Sequence, residues 1–342
     1  MSNPLLAAAI DRLLEGTDIG RDGAAEALHE IMSGDVDQPQ AAGFLVALRA
    51  KGETPEELAG LVSVVREKSV AVQAPAGVVV DTCGTGGGIS TFNVSTAAAF
   101  VVAGDGVVVA KHGNRSATSK CGSADVLEAL GASIDLVPEA VAECMAETGV
   151  GFMFAPMHHP AFAYIAPVRK SLGVHTVFNR IGPLANPADP GRQVIGVASQ
   201  AHMRGMAEAL RVLGTTRAMV VRGRDGMDEL STAAVNDAVR LVDGAIAEIT
   251  LDPAELGIDP PGDGALAGGD PLHNAKVIHD LLSSGVGPAA DIVALNAGAA
   301  LWAAGVVDDV AAGLALARER LTSGAANERL AHFVAVTTRL AA

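Results

Sequence analysis

An apolar run, Val78-Val79-Val80, ends at Asp81 and leads within three residues into Gly84-Thr85-Gly86-Gly87-Gly88. A helix-like stretch from Ser95 to Val102 follows. No other part of the chain restricts the fold as strongly. The apolar run reads as a buried strand, and glycine alone reaches positive φ without strain, so the next residues can turn sharply. Successive backbone N–H groups in such a turn, together with a helix N-terminus just beyond it, converge on an anion such as phosphate. The segment lacks the GKS/T ending of a nucleotide P-loop and the GxGxxG spacing of a dinucleotide site. A glycine turn that binds nothing is the alternative reading of this stretch alone.

The strand–helix alternation continues downstream. Val107-Val108-Val109 reads as a second strand, ending in Lys111-His112-Gly113-Asn114-Arg115, and Glu128 lies in a helix that stops near Gly131. Strand signals recur at 151–154 and 219–221, and the alternation around Asp243-Gly244 predicts a hairpin. Helical patterns occupy 274–282 and 310–321. The first seventy residues are different in kind. Leu5, Leu6, Ile10, Leu13 and Leu14 form one helical stripe, and Thr54-Pro55-Glu56-Glu57 predicts a helix start with a capping box. The pattern predicts an α/β fold: a small N-terminal helical domain over 1–72, and a larger domain over 73–342 with a mainly parallel or mixed central sheet. Part of the proline-rich 156–190 segment is a candidate to return to the helical domain.

Composition narrows the function. With 24 basic and 39 acidic residues the formal net charge is −15, which disfavours a nucleic-acid binder that must collect phosphates over a basic surface. A local basic pocket for a small anion is still compatible with that charge. Cys83, Cys121 and Cys144 have no paired zinc-ligand spacing and suit a reducing cytoplasm. The near-apolar run from Ile292 to Val307 contains Asn296 and is shorter than the ~20 residues of a membrane helix, so it reads as core. No membrane span or secretion signal is expected.

Chemistry-bearing residues cluster at the ends of the expected strands. Ser95 and Thr96 either cap the helix that follows or hold a phosphate there, and Asn93 offers an amide to the same anion. Lys111 supplies a compact positive charge, Arg115 a fork for phosphate or carboxylate, and His112 and Asn114 polar contacts, at the strand end where α/β proteins bind ligands. Asp228-Glu229 follows another strand; adjacent carboxylates combined with substrate phosphates are the usual oxygen set for magnesium. An exposed acidic loop is the other reading of that pair. Arg169, in isolation, is equally a structural residue.

Taken in order, these blocks resemble the anthranilate phosphoribosyltransferase family along nearly the whole chain. The resemblance is carried by GTGG at 84–87, NVSTAAAFVV at 93–102, KHGNR at 111–115, GSADVLEALG at 122–131, HPAFAYIAPVRKSLG at 159–173, FNRIGPLANP at 178–187 and DGMDELS at 225–231. It implies a nucleoside phosphorylase/phosphoribosyltransferase-like fold, a homodimer through the helical part and a cytoplasmic location. It also implies a reaction in which anthranilate and 5-phosphoribosyl-1-pyrophosphate give N-(5-phosphoribosyl)anthranilate and pyrophosphate, with Mg2+ as cofactor. By the same resemblance, Gly84, Gly86, Gly87, Asn93, Ser95, Thr96 and Lys111 hold the phosphoribosyl pyrophosphate, with Ser123 near its phosphate end. Ser95, Asp228 and Glu229 touch magnesium, and Lys111, Asp228 and Glu229 carry the catalysis. Asn114 and Arg169 address anthranilate, Arg169 through its carboxylate, while His112 and His159 line its approach. The family usually continues GTGG with Asp-Gly; this chain reads Gly88-Ile89-Ser90 and is one residue shorter, so Gly88 is not carried over as a binding residue.

Two other readings use the same features. A pyrimidine nucleoside phosphorylase shares the architecture and a glycine-rich phosphate site, but Arg169 and Asp228-Glu229 favour phosphoribosyl transfer. A nonenzymatic, nucleic-acid-binding relative would show a basic surface, which the charge of −15 opposes.

Overall fold

The computed structural model describes residues 2–116 and 120–342. Helices α1 (Pro4–Leu14), α2 (Gly20–Ile31), α3 (Gln38–Lys51) and α4 (Pro55–Glu67) form an N-terminal bundle. The capping box expected at Thr54 is present: Thr54 Oγ1 accepts from the Glu57 N–H at 3.1 Å, and Glu57 Oε2 accepts from the Thr54 N–H at 2.9 Å. Glu57 is fully buried and also takes the Ile19 N–H at 2.9 Å and the Lys51 ammonium at 2.8 Å. One carboxylate therefore ties the entry of α2, the end of α3 and the start of α4, with its charge balanced by Lys51.

The rest of the chain builds an α/β layer structure. Its strands are β1 (Val78–Gly84), β2 (Val107–Gly113), β3 (Val150–Phe154), β4 (Arg192–Gly196), β5 (Arg217–Gly223), β6 (Asn236–Val242) and β7 (Ala245–Leu251). Among the described residues they form one seven-stranded sheet, in the order β3-β2-β1-β4-β5-β6-β7. The first five are parallel; β6 and β7 are antiparallel additions at one edge. The β6–β7 turn has φ of 47° at Asp243 and 84° at Gly244, the two positive values that match a two-residue hairpin to strand twist. The sheet is therefore mixed, and the hairpin lies where the alternation predicted it.

Helices α5 (Val94–Val102), α6 (Ser123–Ala129), α7 (Pro138–Thr148), α8 (Ala155–His158), α9 (Phe162–Leu172), α10 (Phe178–Leu184), α11 (Met203–Val212), α12 (Pro271–Ser284), α13 (Pro288–Ala304), α14 (Val310–Thr322) and α15 (Ala325–Ala341) complete the layers. Alternation along the strands sends neighbours to opposite faces. Val194, Met219 and Val221 join one core with α5 and α12–α15, while Ile195, Ala218 and Val220 join a second core with α10, α11 and the N-terminal bundle. The apolar run noted at 292–307 is α13, buried from Ile292 to Ala304. Among the described residues no single helix is long and apolar enough to cross a membrane.

The 156–190 segment lies against the bundle. Ile165 and Val168 of α9 and Phe178, Ile181 and Leu184 of α10 share a core with Phe44, Leu48 and Leu61 of the bundle. This return path puts residues 175–180 across an opening from the glycine turn, and it is what creates a two-walled cleft.

Candidate active site

β1 lies between β2 and β4, so the chain leaves it in one direction and later resumes on its other side. Crevices at the carboxyl ends of strands flanking such a switch are the natural ligand sites of open parallel sheets. A cleft of about 880 Å³ occupies that place, lined by the glycine turn, α5, Lys111, Asp228 and Glu229 on one side and by residues 175–180 on the other.

Three glycines at this rim are required by one crossing segment. A Cβ on Gly84 would lie 2.7 Å from Asp228 Oδ2, one on Gly88 would lie 2.7 Å from the Asp228 nitrogen, and one on Gly196 would overlap the Asp228 carbonyl. Gly88, the point of departure in the sequence, thus has a packing role: it lets the 226–229 segment lie directly on the turn. Gly86 and Gly87 have φ of 71° and 89°, which glycine adopts without strain. The Gly86 N–H donates to Asp228 Oδ2 at 2.7 Å.

Asp228 and Glu229 are half-buried carboxylates on the cleft wall. Burial raises the pKa of Asp228, opposed by the Gly86 hydrogen bond. Burial and then the Asp228 charge push Glu229 up to about 8, while Thr91 Oγ1 stands 3.3 Å from its Oε1. Two hard carboxylates held together, with Lys111 as the opposing charge on Glu229, have the donor chemistry of a magnesium site. Among the described residues no group of three or more His, Cys, Asp or Glu side chains could cage a metal unaided, so the remaining ligands would be substrate oxygens and water.

Lys111 is 3 % exposed; its ammonium donates to the Thr82 carbonyl at 2.7 Å and to Ser95 Oγ at 3.1 Å. Burial lowers its pKa, and the fully buried Asp81 is the main opposing charge. Asp81 in turn accepts from Asn186 Nδ2 at 2.8 Å, an amide that also reaches the Ala110 carbonyl at 2.8 Å. Asp81 and Asn186 were not singled out in the sequence. An acid closing the run Val78-Val79-Val80, one strand away from a lysine closing Val107-Val108-Val109, was the available signal.

The other expected residues divide into those on the cleft and those behind it. Ser95 and Thr96 line it; Asn93, at φ 68°, holds the N-cap position of α5 without a side-chain cap, so neither Ser95 nor Thr96 is the cap. Thr96 Oγ1 is buried without a hydrogen-bond partner among the described residues. The Asn93 amide, also on the cleft, is oriented by donating to the Cys121 carbonyl at 3.1 Å and accepting from Asn274 Nδ2 at 2.8 Å. Asn114 and Ser123 line the cleft, joined by a 3.3 Å hydrogen bond from Ser123 Oγ to the Asn114 carbonyl. Arg115 forks onto Glu128 and contacts Asp125, so its guanidinium serves the protein's own carboxylates.

His112 lines the cleft, and His159 stands behind it with its Nε2 3.2 Å from His112 Nε2. Burial, then the neighbouring histidine, depresses His112 to about 3, and burial depresses His159 to about 4, so both rings are neutral near pH 7. Phe162 stacks on His159 at 5.1 Å, Phe178 meets Phe162 edge-on at 5.6 Å, and the Arg169 guanidinium lies 5.3 Å over Phe178. Arg169 is thus off the cleft lining but joined to it by an unbroken line of rings. Burial alone lowers its pKa, and it has no ion-pair partner among the described residues.

Glycine turn, paired carboxylates and facing wall meet in one cleft, and the family comparison gives the class, a glycosyl transferase with a helical bundle and an a/b domain. Residues 7–69 match the helical bundle domain of a glycosyl transferase family, and residues 76–327 match the a/b domain. An anthranilate phosphoribosyltransferase of Rubrobacter xylanophilus is 47% identical over 98% of this chain and 99% of its own length. The crystal structure of the anthranilate phosphoribosyltransferase of Thermus thermophilus is 44% identical, with a TM-score of 0.91 over 96% of this chain and 99% of that one. That of Saccharomyces cerevisiae, in complex with phosphoribosyl pyrophosphate and magnesium, is 27% identical, with a TM-score of 0.90 over 99% of both chains. The chain belongs to the anthranilate phosphoribosyltransferase family.

Proposed function

We propose that this cleft transfers the 5-phosphoribosyl group of 5-phosphoribosyl-1-pyrophosphate to the amine of anthranilate, releasing pyrophosphate, in tryptophan biosynthesis. The observation that carries the reading is the convergence of the glycine turn, Lys111 and the Asp228–Glu229 pair on one cleft. Gly84, Gly86 and Gly87, the N-terminus of α5 with Asn93, Ser95 and Thr96, and Ser123 across from it are the proposed donor contacts. Asp228, Glu229 and Ser95 are the proposed ligands of magnesium, which when bound neutralises charge on the departing pyrophosphate.

The residues of the chain then have distinct tasks. Asp81 opposes the lowering of the Lys111 pKa by burial, and the Lys111 amine is held beside Ser95, where the leaving group gathers negative charge. Anthranilate's arylamine is already neutral and nucleophilic, so orientation matters more than activation by a base. Arg169, free of any protein carboxylate among the described residues, is the proposed partner of the anthranilate carboxylate; Asn114 and the neutral His112–His159 pair guide the ring towards the ribose. The enzyme works by positioning and electrostatics, without a covalent intermediate.

The proposed assembly is a homodimer through the bundle, in the cytoplasm. Leu14, Val46 and Tyr164 are 69%, 46% and 53% exposed on α1, α3 and α9, helices that pack side by side. Light scattering should give twice the chain mass, and Leu14→Glu with Val46→Glu should give the monomer. The catalytic test is loss of anthranilate fluorescence on mixing with phosphoribosyl pyrophosphate and magnesium. Folded protein that leaves the fluorescence unchanged would overturn the assignment, and thymidine phosphorolysis instead would favour a nucleoside phosphorylase.

A further inference from the structure

The wall opposite the glycine turn carries polar groups that none of the expected contacts uses. Arg49, Glu53, His175, Thr176, Asn179 and Arg180 all line the cleft. They come from the end of α3 and the α3–α4 turn, and from the segment entering α10 and its first turn, which the return of 156–190 brings together. His175 approaches the turn closely, since a Cβ on Gly87 would lie 3.8 Å from its Cε1.

Of the two arginines of this wall, Arg180 alone is ion-paired among the described residues. Arg49 donates to the His175 carbonyl, and Arg180 is ion-paired with Glu53, whose side chain is only 4% exposed. Two oxygens beside them are left over. Glu53 Oε1 and Thr176 Oγ1 are buried and lack a hydrogen-bond partner among the described residues, and Thr176 is only 6% exposed. Asn179 Oδ1 accepts the Thr176 N–H at 3.0 Å, which directs the amide's remaining Nδ2 donors elsewhere. An orphaned buried carboxylate oxygen costs free energy until a donor reaches it.

The charge balance selects the ligand group. At the two orphaned oxygens themselves a phosphate or the anthranilate carboxylate would face the Glu53 carboxylate and be repelled. A neutral group that both donates and accepts fits, and a carboxylate receiving a sugar hydroxyl is a recurring way to read ribose. We propose that Glu53 and Thr176 receive the ribose 2- and 3-hydroxyls of the phosphoribosyl donor, with Arg180 as the positioning residue that holds Glu53. This rests on the reading of the cleft as a phosphoribosyl pyrophosphate site. It gives the bundle a direct part in donor recognition: the ribose is held between the glycine turn and the α3–α4 turn.

Titration calorimetry of the full chain with ribose 5-phosphate and with 2-deoxyribose 5-phosphate tests this without turnover. Wild type should bind the ribose compound about 10-fold tighter, the size expected of a hydrogen bond to a charged group. Glu53→Gln and the near-isosteric Thr176→Val are each compared with it, and the ratio should shrink about 5-fold or more in at least one. A generally damaged protein would lose both ligands together and keep the ratio. Equal binding of the two sugars by wild type, or an unchanged ratio in both variants, overturns the proposal. So does a rise confined to the KM for anthranilate, which would assign the wall to the acceptor. If wild type neither binds a sugar phosphate nor consumes anthranilate, the reading of the cleft fails, and this wall with it; turnover with unchanged discrimination sinks the wall alone.

Discussion

Glu229, a proposed magnesium ligand, is the cleft carboxylate pushed to a pKa of about 8. Its pKa of about 8, against an ordinary 4.5, means the folded metal-free protein binds this proton more tightly than the unfolded chain does. Stability of the metal-free protein therefore falls as pH rises from about 4.5 towards 8 through this group, and magnesium, which must displace the proton, binds better over the same window. The rise in Tm on adding magnesium should accordingly be larger at about pH 8.5 than at about pH 6.5, and Glu229→Gln should remove that pH dependence. A pH-independent magnesium effect in wild type would contradict the assignment. Arg169 makes a second prediction at this scale: Arg169→Ala should raise the KM for anthranilate by about 10-fold or more, the worth of a charge-assisted pair, and leave phosphoribosyl pyrophosphate binding nearly unchanged. Separate titrations showing the reverse would reject its role. Residue types with one dominant chemistry were legible in the sequence, among them the glycines at 84–88, Lys111 and Asp228-Glu229. The partners that tune them were not. Asp81, Asn186, Glu53 and Thr176 matter because distant segments meet, and nothing local marks a contact 105 residues away such as Asn186 with Asp81.

At the scale of elements, the segment carrying the two carboxylates is held from both sides. Below it, Gly196 at the end of β4 leaves no room for a side chain under the Asp228 carbonyl. Beside it, Asn296 of α13 accepts the Leu230 N–H at 3.0 Å and donates to the Leu230 carbonyl at 2.9 Å. Gly196→Ala should shift the 226–229 segment and cut magnesium-dependent turnover at least about 10-fold, the scale of a modest misplacement of reacting groups; unchanged kinetics would show that the segment does not need this floor. Asn296→Leu should destabilise the fold by roughly 2–4 kcal/mol, because it leaves two buried backbone groups unpaired, and urea denaturation would measure it. The polar residue inside the apolar run at 292–307 was visible in the sequence, but its purpose depends on α13 lying beneath Leu230. Periodicity located α4 and the hairpin well, and the apolar run at 292–307, read as core, is the buried part of α13. It missed β4, whose pattern Arg192-Gln193-Val194-Ile195-Gly196 is short and begins with two polar residues. Only pairing with β1 and β5 makes that stretch a strand.

At the scale of the whole molecule, the architecture explains why a helical bundle is joined to a parallel sheet at all. The sheet carries the glycine turn and the paired carboxylates, the returning α9–α10 segment supplies the facing wall and the line of rings to Arg169, and the bundle braces that wall. The alternation of strands and helices made the α/β class readable, and the change of pattern near residue 77 marked where the first strand begins, at Val78. The cleft itself was not readable, because its second wall is assembled from residues 49–53 and 175–180, which are far apart in sequence and carry no shared pattern. The central claim is that one cleft couples loss of pyrophosphate to capture of anthranilate. Phosphorus NMR of phosphoribosyl pyrophosphate with the protein, magnesium and anthranilate, read alongside anthranilate fluorescence, tests it directly. Pyrophosphate should appear in a one-to-one ratio with anthranilate consumed, and only traces should form when anthranilate or magnesium is left out. Pyrophosphate release that proceeds equally well without anthranilate, or none at all from folded protein, would contradict it.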